Sequence, residues 1–470
     1  MAFFIDANIH VIYLNIKYIA CYFAFFLQRE PKQKTTAAEK GKIILNRIKK
    51  VISVHFSDLE DRFNNLEDKR KRTEYSMAEI LTGGLFMFIF KETSRNAYNN
   101  DRREEHFRKN YFKLFKHNLP HADAVDAVLR ELPPEQLETL KAHLVSVLIE
   151  QKVFRKFRFL GKYYTIAVDG TGIASFDEKH CAHCLTKTSK NGVTSYFHYV
   201  LEAKIVTSSG LAVSIASEFI ENASGGDYEK QDCESKAFVR LAAKMKKNFP
   251  RLPICILADG LYPNNTVFDI CEKNNWSFII TLKDGNLKTF HKEVELLKAT
   301  AKKRTVYKAD KTSRTTLQYT YLNEIEYGNK NRHYSWVECI ETIVHVDQNT
   351  ICQQRFVYIT NLTQTNDNVV TAANTGRLRW KIENEGFNTQ KNLGYDLEHK
   401  FSRVSYIAMQ NYYRLCQIAH AINQFVEQSA VIVELLKEHS KQTIVDLWKK
   451  TLAYLIMIYE PEKDSVFNTG

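Results

Sequence analysis

The chain has 470 residues, 44% hydrophobic and 26% charged, with only 8 Pro and 17 Gly and a formal charge of +12. That composition excludes a disordered or fibrous chain, and the length allows about three domains. The basic surplus favours a polyanionic partner, because basic proteins gain free energy by releasing the counterions of nucleic acid.

The nine cysteines are scattered and odd in number, and several sit in apolar runs, as Cys255 does in PICILAD. This reads as the reduced thiol inventory of a cytoplasmic protein, not a disulfide framework. Residues 11–27 are nearly apolar but carry Asn15 and Lys17. The run falls short of the ~20 residues of a spanning helix, and the opening MAFFID lacks the basic start of a signal peptide. We read residues 1–28 as an apolar segment, with a buried helix preferred to a membrane span.

The rest of residues 1–75 is basic. Ile43, Ile44, Ile48, Val51 and Ile52 fall near helical spacing, and Lys69-Arg70-Lys71-Arg72 form a basic run. A solvated face and a DNA-contacting arm both fit that run. Residues 76–160 form a helical region assigned to DNA binding. It holds an apolar helix in AEILTGGLFMFIFKE and two amphipathic runs divided by Pro133-Pro134.

From residue 161 the period changes to that of strands. Residues 163–169, 195–206 and 211–221 read as three strands, with a tight turn at Ser208-Ser209-Gly210. A helix at about 228–248, a strand at 253–259, a helix around NTVFDICEKNN and a strand at 276–281 complete a β-β-β-α-β-α-β order over 161–282. Residues 283–360 are rich in Thr, Tyr, Val and Ile and read as a β-rich insertion. Residues 361–400 contain a helix over 376–393, and 401–470 form a helical C-terminal region.

Two strands end alike, TIAVDG and CILADG, each delivering an aspartate, Asp169 or Asp259, to a glycine. Carboxylates leaving a buried strand need a positive partner. A β-β-β-α-β order with acids on its first and fourth strands resembles ribonuclease H-like folds, in which those strands are neighbours. Two such carboxylates repel unless a cation separates them, and Mg²⁺ or Mn²⁺ suits oxygen ligands. The helix 376–393 supplies a third acid. Glu383 shares a face with Arg379, one turn earlier, whereas Glu385 points about 200° away at ~100° per residue. Glu383 is therefore chosen, with Arg379 placed to meet a phosphate at the metal's edge.

The stretch RLRWKIENEGFNTQKN resembles the signature helix of insertion-sequence DDE transposases, whose pattern is Tyr-x2-Arg-x3-Glu-x6-Lys. With 163–172 and 253–260, the resemblance covers most of residues 75–400. It implies an α/β (α+β) fold with a ribonuclease H-like core. It also implies a triad of Asp169, Asp259 and Glu383 binding two Mg²⁺ or Mn²⁺ ions. Arg379 is implied as a phosphate contact, and Arg377 and Lys391 as further DNA contacts. The activity implied is cleavage at transposon ends and strand transfer into target double-stranded DNA, by copies that self-associate to pair the ends, in the nucleoid. The chain departs from the pattern at Gly376, where Tyr is wanted, and at Gln390, where Lys is wanted, with Lys391 one residue late. A nuclease of the same fold that does not join strands and a catalytically inactive DNA-binding relative are the alternatives. A glycosidase with paired acids has no use for the basic surplus.

Other residues have two readings each. Trp380 fits base stacking or core packing. Lys204 and Lys283 fit a DNA path or an ordinary surface. Glu221 fits an approach to the acidic site or, preferred, a solvated strand end, and Asp177, Asp227 and Asp232 read as solvated loop acids. His180-Cys181-Ala182-His183-Cys184 could hold zinc, but no second ligand pair follows at finger spacing, so loop packing is preferred.

Overall fold

A computed structural model describes residues 35–222, 231–328, 330–346, 350–438 and 441–458. The apolar run 11–27 and Asp227 lie outside these residues. Helix α1 (Ala37–His55) starts at a capping box in which the Thr36 hydroxyl accepts from the Glu39 amide and the Glu39 carboxylate from the Thr36 amide. Its buried face is Ile44, Ile48 and Val51, the spacing seen in the sequence. After α2 (Leu59–Asn64), Lys69, Lys71 and Arg72 lie exposed in an irregular connection, with Arg70 paired to Asp68 at 2.7 Å. A second capping box, Ser76 with Glu79, opens α3 (Met77–Ile89), which is buried almost throughout. Helices α4 (Arg95–Arg103), α5 (Glu105–Phe115), α6 (Ala122–Glu131) and α7 (Pro134–Glu150) complete this layer, with Pro134 at the first turn of α7.

Strands β1 (Tyr164–Phe176), β2 (Leu185–Thr188), β3 (Thr194–Val206) and β4 (Ala212–Ile220) come next. They are followed by α8 (Glu234–Asn248), β5 (Ile254–Ala258), α9 (Asn265–Asn274) and β6 (Ser277–Thr281). The order β4-β3-β1-β5-β6 places β3 antiparallel to β1, and β5 parallel to β1 on its other edge. Strand β1 is longer than its sequence suggested. It passes through Gly170-Thr171-Gly172 and on to Phe176, with a register shift between Gly172 and Ala174. The glycines are turn signals in isolation, but the long β3 supplies pairing partners on both sides of the shift.

The insertion is β-rich as expected, after a helix α10 (Lys288–Leu297). Strands β7 (Lys302–Ala309), β8 (Ser313–Tyr327), β9 (Arg332–His345) and β10 (Thr350–Thr360) form an antiparallel meander. Strand β10 also pairs antiparallel with β6, so core and insertion make one ten-stranded sheet. Helix α11 (Val369–Arg377) then leads to a two-residue turn and a helical segment over 380–392. The single helix expected over 376–393 is thus interrupted, and Ile382–Asn388 is π-wound before α12 (Thr389–Asn392). Gly386 lies inside the widened turn, where a Cβ would stand 3.2 Å from Lys204 Cε.

Helices α13 (Tyr406–Glu427), α14 (Ala430–Lys437) and α15 (Ile444–Met457) close the chain. α13 is buried over most of its length and joins the helical layer to the sheet. Asn411 donates to the carbonyls of Leu129 (2.9 Å) and Leu132 (2.7 Å), satisfying the open C-terminal end of α6. One buried apolar cluster extends from Ile44 to Leu455. Among the described residues no helix is long and apolar enough to cross a membrane.

Gly376 is fitted to β10: a Cβ there would stand 2.6 Å from Tyr358 Cε1. Gly376→Ala is expected to destabilise the fold by roughly 1–3 kcal/mol through overpacking. In a double-mutant cycle read by denaturant midpoints, Tyr358→Ala should absorb most of that loss. Simple additivity of the two changes would contradict the packing described.

Candidate active site

The parallel ladder of β1 and β5 pairs Ile166 with Ile256 and Ala167 with Leu257. Asp169 lies two residues beyond Ala167, where that ladder ends, and Asp259 directly follows the last residue of β5. The Gly170 amide donates to Asp169 Oδ1 at 2.9 Å, and Arg379 Nη1 lies 3.3 Å from Asp169 Oδ2. The same guanidinium nitrogen is 2.8 Å from Glu383 Oε1, so Arg379, only 8% exposed, bridges the two acids. Asp259 is held separately. Its Oδ1 accepts from the Leu261 amide at 2.8 Å, and Lys283 Nζ lies 3.3 Å from Oδ2. The lysine stem crosses Gly260, where a Cβ would meet Lys283 Cδ at 2.6 Å. The cations that meet the acids here are Arg379 and Lys283.

Burial, then the hydrogen bond and charge of Glu383, push Asp169 up to about 7 against the Gly170 amide and Arg379. Glu234, the first residue of α8, also stands near. Burial chiefly raises it, with the charge of Asp259 adding, while hydrogen bonds from Tyr262 and Tyr199 oppose. The Tyr262 hydroxyl donates to Glu234 Oε2 at 2.9 Å. Both tyrosines are raised, by burial first and then by Glu234, Asp169 and Asp259. Nothing in the sequence marks Glu234, because an acid in a helix's first turn is ordinary complementation of the dipole. Gly170 serves this packing: a Cβ there would collide with the Tyr199 ring and lie 2.9 Å from Glu234 Oε1. That close approach is internal to the protein.

The other expected site residues are placed as follows. Trp380 is 48% exposed and carries the Arg379 guanidinium 4.4 Å from its ring centroid, so it is not a core residue. Arg377 pairs with Glu341 at 3.1 Å and lies over the Phe356 ring. Lys391 pairs with Glu398 at 2.7 Å. Glu385 pairs with Lys381 and lies beside the turn at Gly210, which leaves Glu383 to meet Asp169. Lys204 does not line a surface path. It is fully buried, bonded to Gln417, and lowered to about 8 by burial. Gln390 is buried too and pairs with Gln417 at 2.9 Å, so a lysine at 390 would crowd a second buried charge against Lys204. Glu221 faces His183 at 3.9 Å, Asp232 pairs with Arg240 at 2.6 Å, and Asp177 is exposed.

The oxygen-rich donor set of Asp169, Asp259 and Glu383 has the chemistry that Mg²⁺ or Mn²⁺ takes, and Arg379 sits where a cation neutralises two of the three. Among the described residues, the one group of three candidate ligands with all ligand atoms within 4.8 Å of one another is Cys181, Cys184 and His198. His180 stacks on Phe176 at 4.1 Å and His183 on Tyr406 at 4.6 Å. Compared with known proteins, the chain matches no family model and no curated protein.

Two outcomes are expected. With Asp169 raised in the folded chain from the ordinary 3.8, the folded state keeps a proton that the unfolded state releases as pH rises between the two values. The stability this group contributes is full below about pH 4 and lost as pH rises through about 7. In EDTA, Asp169→Asn should therefore melt higher than the parent near pH 8 and show a much smaller gap near pH 4. A gap independent of pH would refute the raised Asp169. Arg379→Met leaves two carboxylates uncompensated and should cost about 2–4 kcal/mol, discounted because Glu383 is 38% exposed. Thermal melts should show most of that loss recovered in the Asp169→Asn/Glu383→Gln background.

Proposed function

We propose that the chain is a DDE-type DNA transposase, cutting DNA at transposon ends and joining the freed 3′-hydroxyl to target DNA. The observation that carries the reading is the meeting of Asp169 of β1 and Glu383, from beyond the β-rich insertion, at Arg379, with Asp259 directly after the neighbouring parallel strand β5. The strand order β4-β3-β1-β5-β6, antiparallel on one side of β1 and parallel on the other, supports a ribonuclease H-like core. A β-rich insertion between β6 and the glutamate segment agrees with it. The two departures from the transposase pattern have local causes: the Tyr358 ring fills the space beside Gly376, and Lys204 already lies beside Gln390.

Asp169, Asp259 and Glu383 would hold two divalent ions, which when bound lower the pKa of the attacking water or hydroxyl and stabilise the leaving oxygen. The protein's own task is positioning and charge neutralisation. Arg379 balances Asp169 and Glu383 and has further N–H donors for a phosphate oxygen. Lys283, with a side chain 59% exposed, carries positive charge beside Asp259, and Trp380 offers a ring face for base stacking. Double-stranded DNA is the partner, and pairing two ends calls for self-association. Arg379 seated between two of the acids favours one rival, a DNA-binding relative that does not cut.

Asp169→Asn, Asp259→Asn and Glu383→Gln should each reduce Mg²⁺- or Mn²⁺-dependent cleavage by at least about 100-fold, the scale of losing a transition-state contact. DNA binding should change little. Cleavage by the parent with any of these variants fully active would overturn the site, and binding without cleavage by the parent would favour the rival. Joined product from a pre-cut end separates a transposase from a nuclease. Affinity should fall steeply with salt in a binding titration, and a flat response would count against phosphate-led binding.

A further inference from the structure

Beyond the acidic site, the β1–β2 connection brings Cys181 and Cys184 to His198 of β3. Cys181 Sγ and Cys184 Sγ are 3.7 Å apart, and His198 Nε2 is 3.5 Å from each sulfur. A tetrahedral zinc centre with Zn–S of about 2.3 Å and Zn–N of about 2.05 Å would set its sulfurs roughly 3.75 Å apart and its S···N edges at roughly 3.55 Å. The trio thus matches three edges of a zinc tetrahedron. The sulfurs are too far apart for a disulfide, which needs about 2.05 Å. Local structure favours the same ligation. The Cys184 amide donates to the Cys181 carbonyl at 3.4 Å, closing the C-x-x-C turn with both sulfurs on the His198 side. Cys184 is 2% and His198 1% exposed, and the Asn222 side chain fixes the turn by donating to the Cys184 carbonyl at 3.0 Å. His198 Nδ1 has no hydrogen-bond partner, so the ring's polar contacts are the two sulfurs.

We propose that Cys181, Cys184 and His198 bind one Zn²⁺ ion, with a fourth ligand from outside the trio. Binding forms two Zn–S bonds and one Zn–N bond. The two thiol protons go to solvent, so two thiolates balance the dication. The sequence alone argued against zinc because no second ligand pair follows at finger spacing. The missing ligand is a strand residue: His198 faces Ala174 across the β1–β3 ladder, beyond the register shift. The ion would tie the 177–184 loop and β3 to the far end of the strand that carries Asp169. The role is structural and does not depend on the transposase reading.

The test is metal analysis of the full-length protein purified without chelator and dialysed against micromolar zinc, then of its Co²⁺-substituted form. One zinc per chain is expected, together with a thiolate-to-cobalt charge-transfer band in the near ultraviolet. Cys184→Ser and His198→Ala should lose at least 10-fold in zinc affinity by competition with a chromophoric chelator. Cys233→Ser, at an exposed cysteine elsewhere, should keep it, as should Asp169→Asn. Absence of zinc from the folded parent would overturn the proposal. So would a cobalt spectrum without thiolate bands, or a Cys181–Cys184 disulfide found by mass. Undiminished affinity in both ligand variants would also overturn it. The cobalt spectrum of the parent decides the matter even if the ligand variants fail to fold.

Discussion

Asp169 is mostly buried, and a second acid, Glu383, shares its guanidinium partner. Such a group is tolerable only with a positive partner. Arg379 supplies it for Asp169 and Glu383, and Lys283 for Asp259. This constraint ties together parts of the chain distant in sequence: β1, β5, the connection after β6 and the π-wound segment after the insertion. Arg379 is buried at this bridge, and its guanidinium stacks on the exposed ring of Trp380. A divalent cation would answer the same electrostatic demand that Arg379 answers in the free protein.

Beneath the site lies a second polar layer that fixes its backbone. Glu202 stands opposite Asp169 in the β1–β3 ladder, yet its carboxylate is satisfied by Ser214, Ser217 (2.7 Å) and Tyr413 (2.7 Å). Glu138 of α7 takes Arg414 of α13 at 3.1 Å, Lys141 at 3.2 Å and the Ser217 amide at 2.9 Å. Burial and these cations act in opposite senses on Glu138, and the cations with the Ser217 amide win, holding it down at about 2. Breaking one partner of such a network strands a buried charge, which is costlier than removing the network whole. The sheet is thereby locked to α7 and α13 beside the interior strand that carries Asp169.

The β-rich insertion also bears on the site. Because β10 pairs with both β6 and β9, the meander extends the core sheet instead of forming a separate body. It brings Tyr358 against Gly376 and Glu341 to Arg377, fixing the approach of the chain to Arg379. The π-wound turn at Ile382–Asn388 follows directly. π turns are rare, and this one carries Gly386 and Phe387 over buried Lys204.

Local sequence determined most of the elements, because strand alternation, capping residues and prolines act over a few residues. The strands bearing Asp169 and Asp259, the Ser76 and Pro134 helix starts, the strand-rich insertion and the pairing of Arg379 with Glu383 were all legible in that way. Tertiary structure decided what depends on distant partners. A long β3 carried β1 past its glycines, Lys204 was drawn into the interior, and a π turn replaced a regular one over it. Glu234 and His198 reached their clusters from positions that look ordinary in isolation. Spacing along a chain records neighbours within a helix or a strand, whereas ligands and counter-charges are chosen by which strands pair, and that is settled only when the sheet forms.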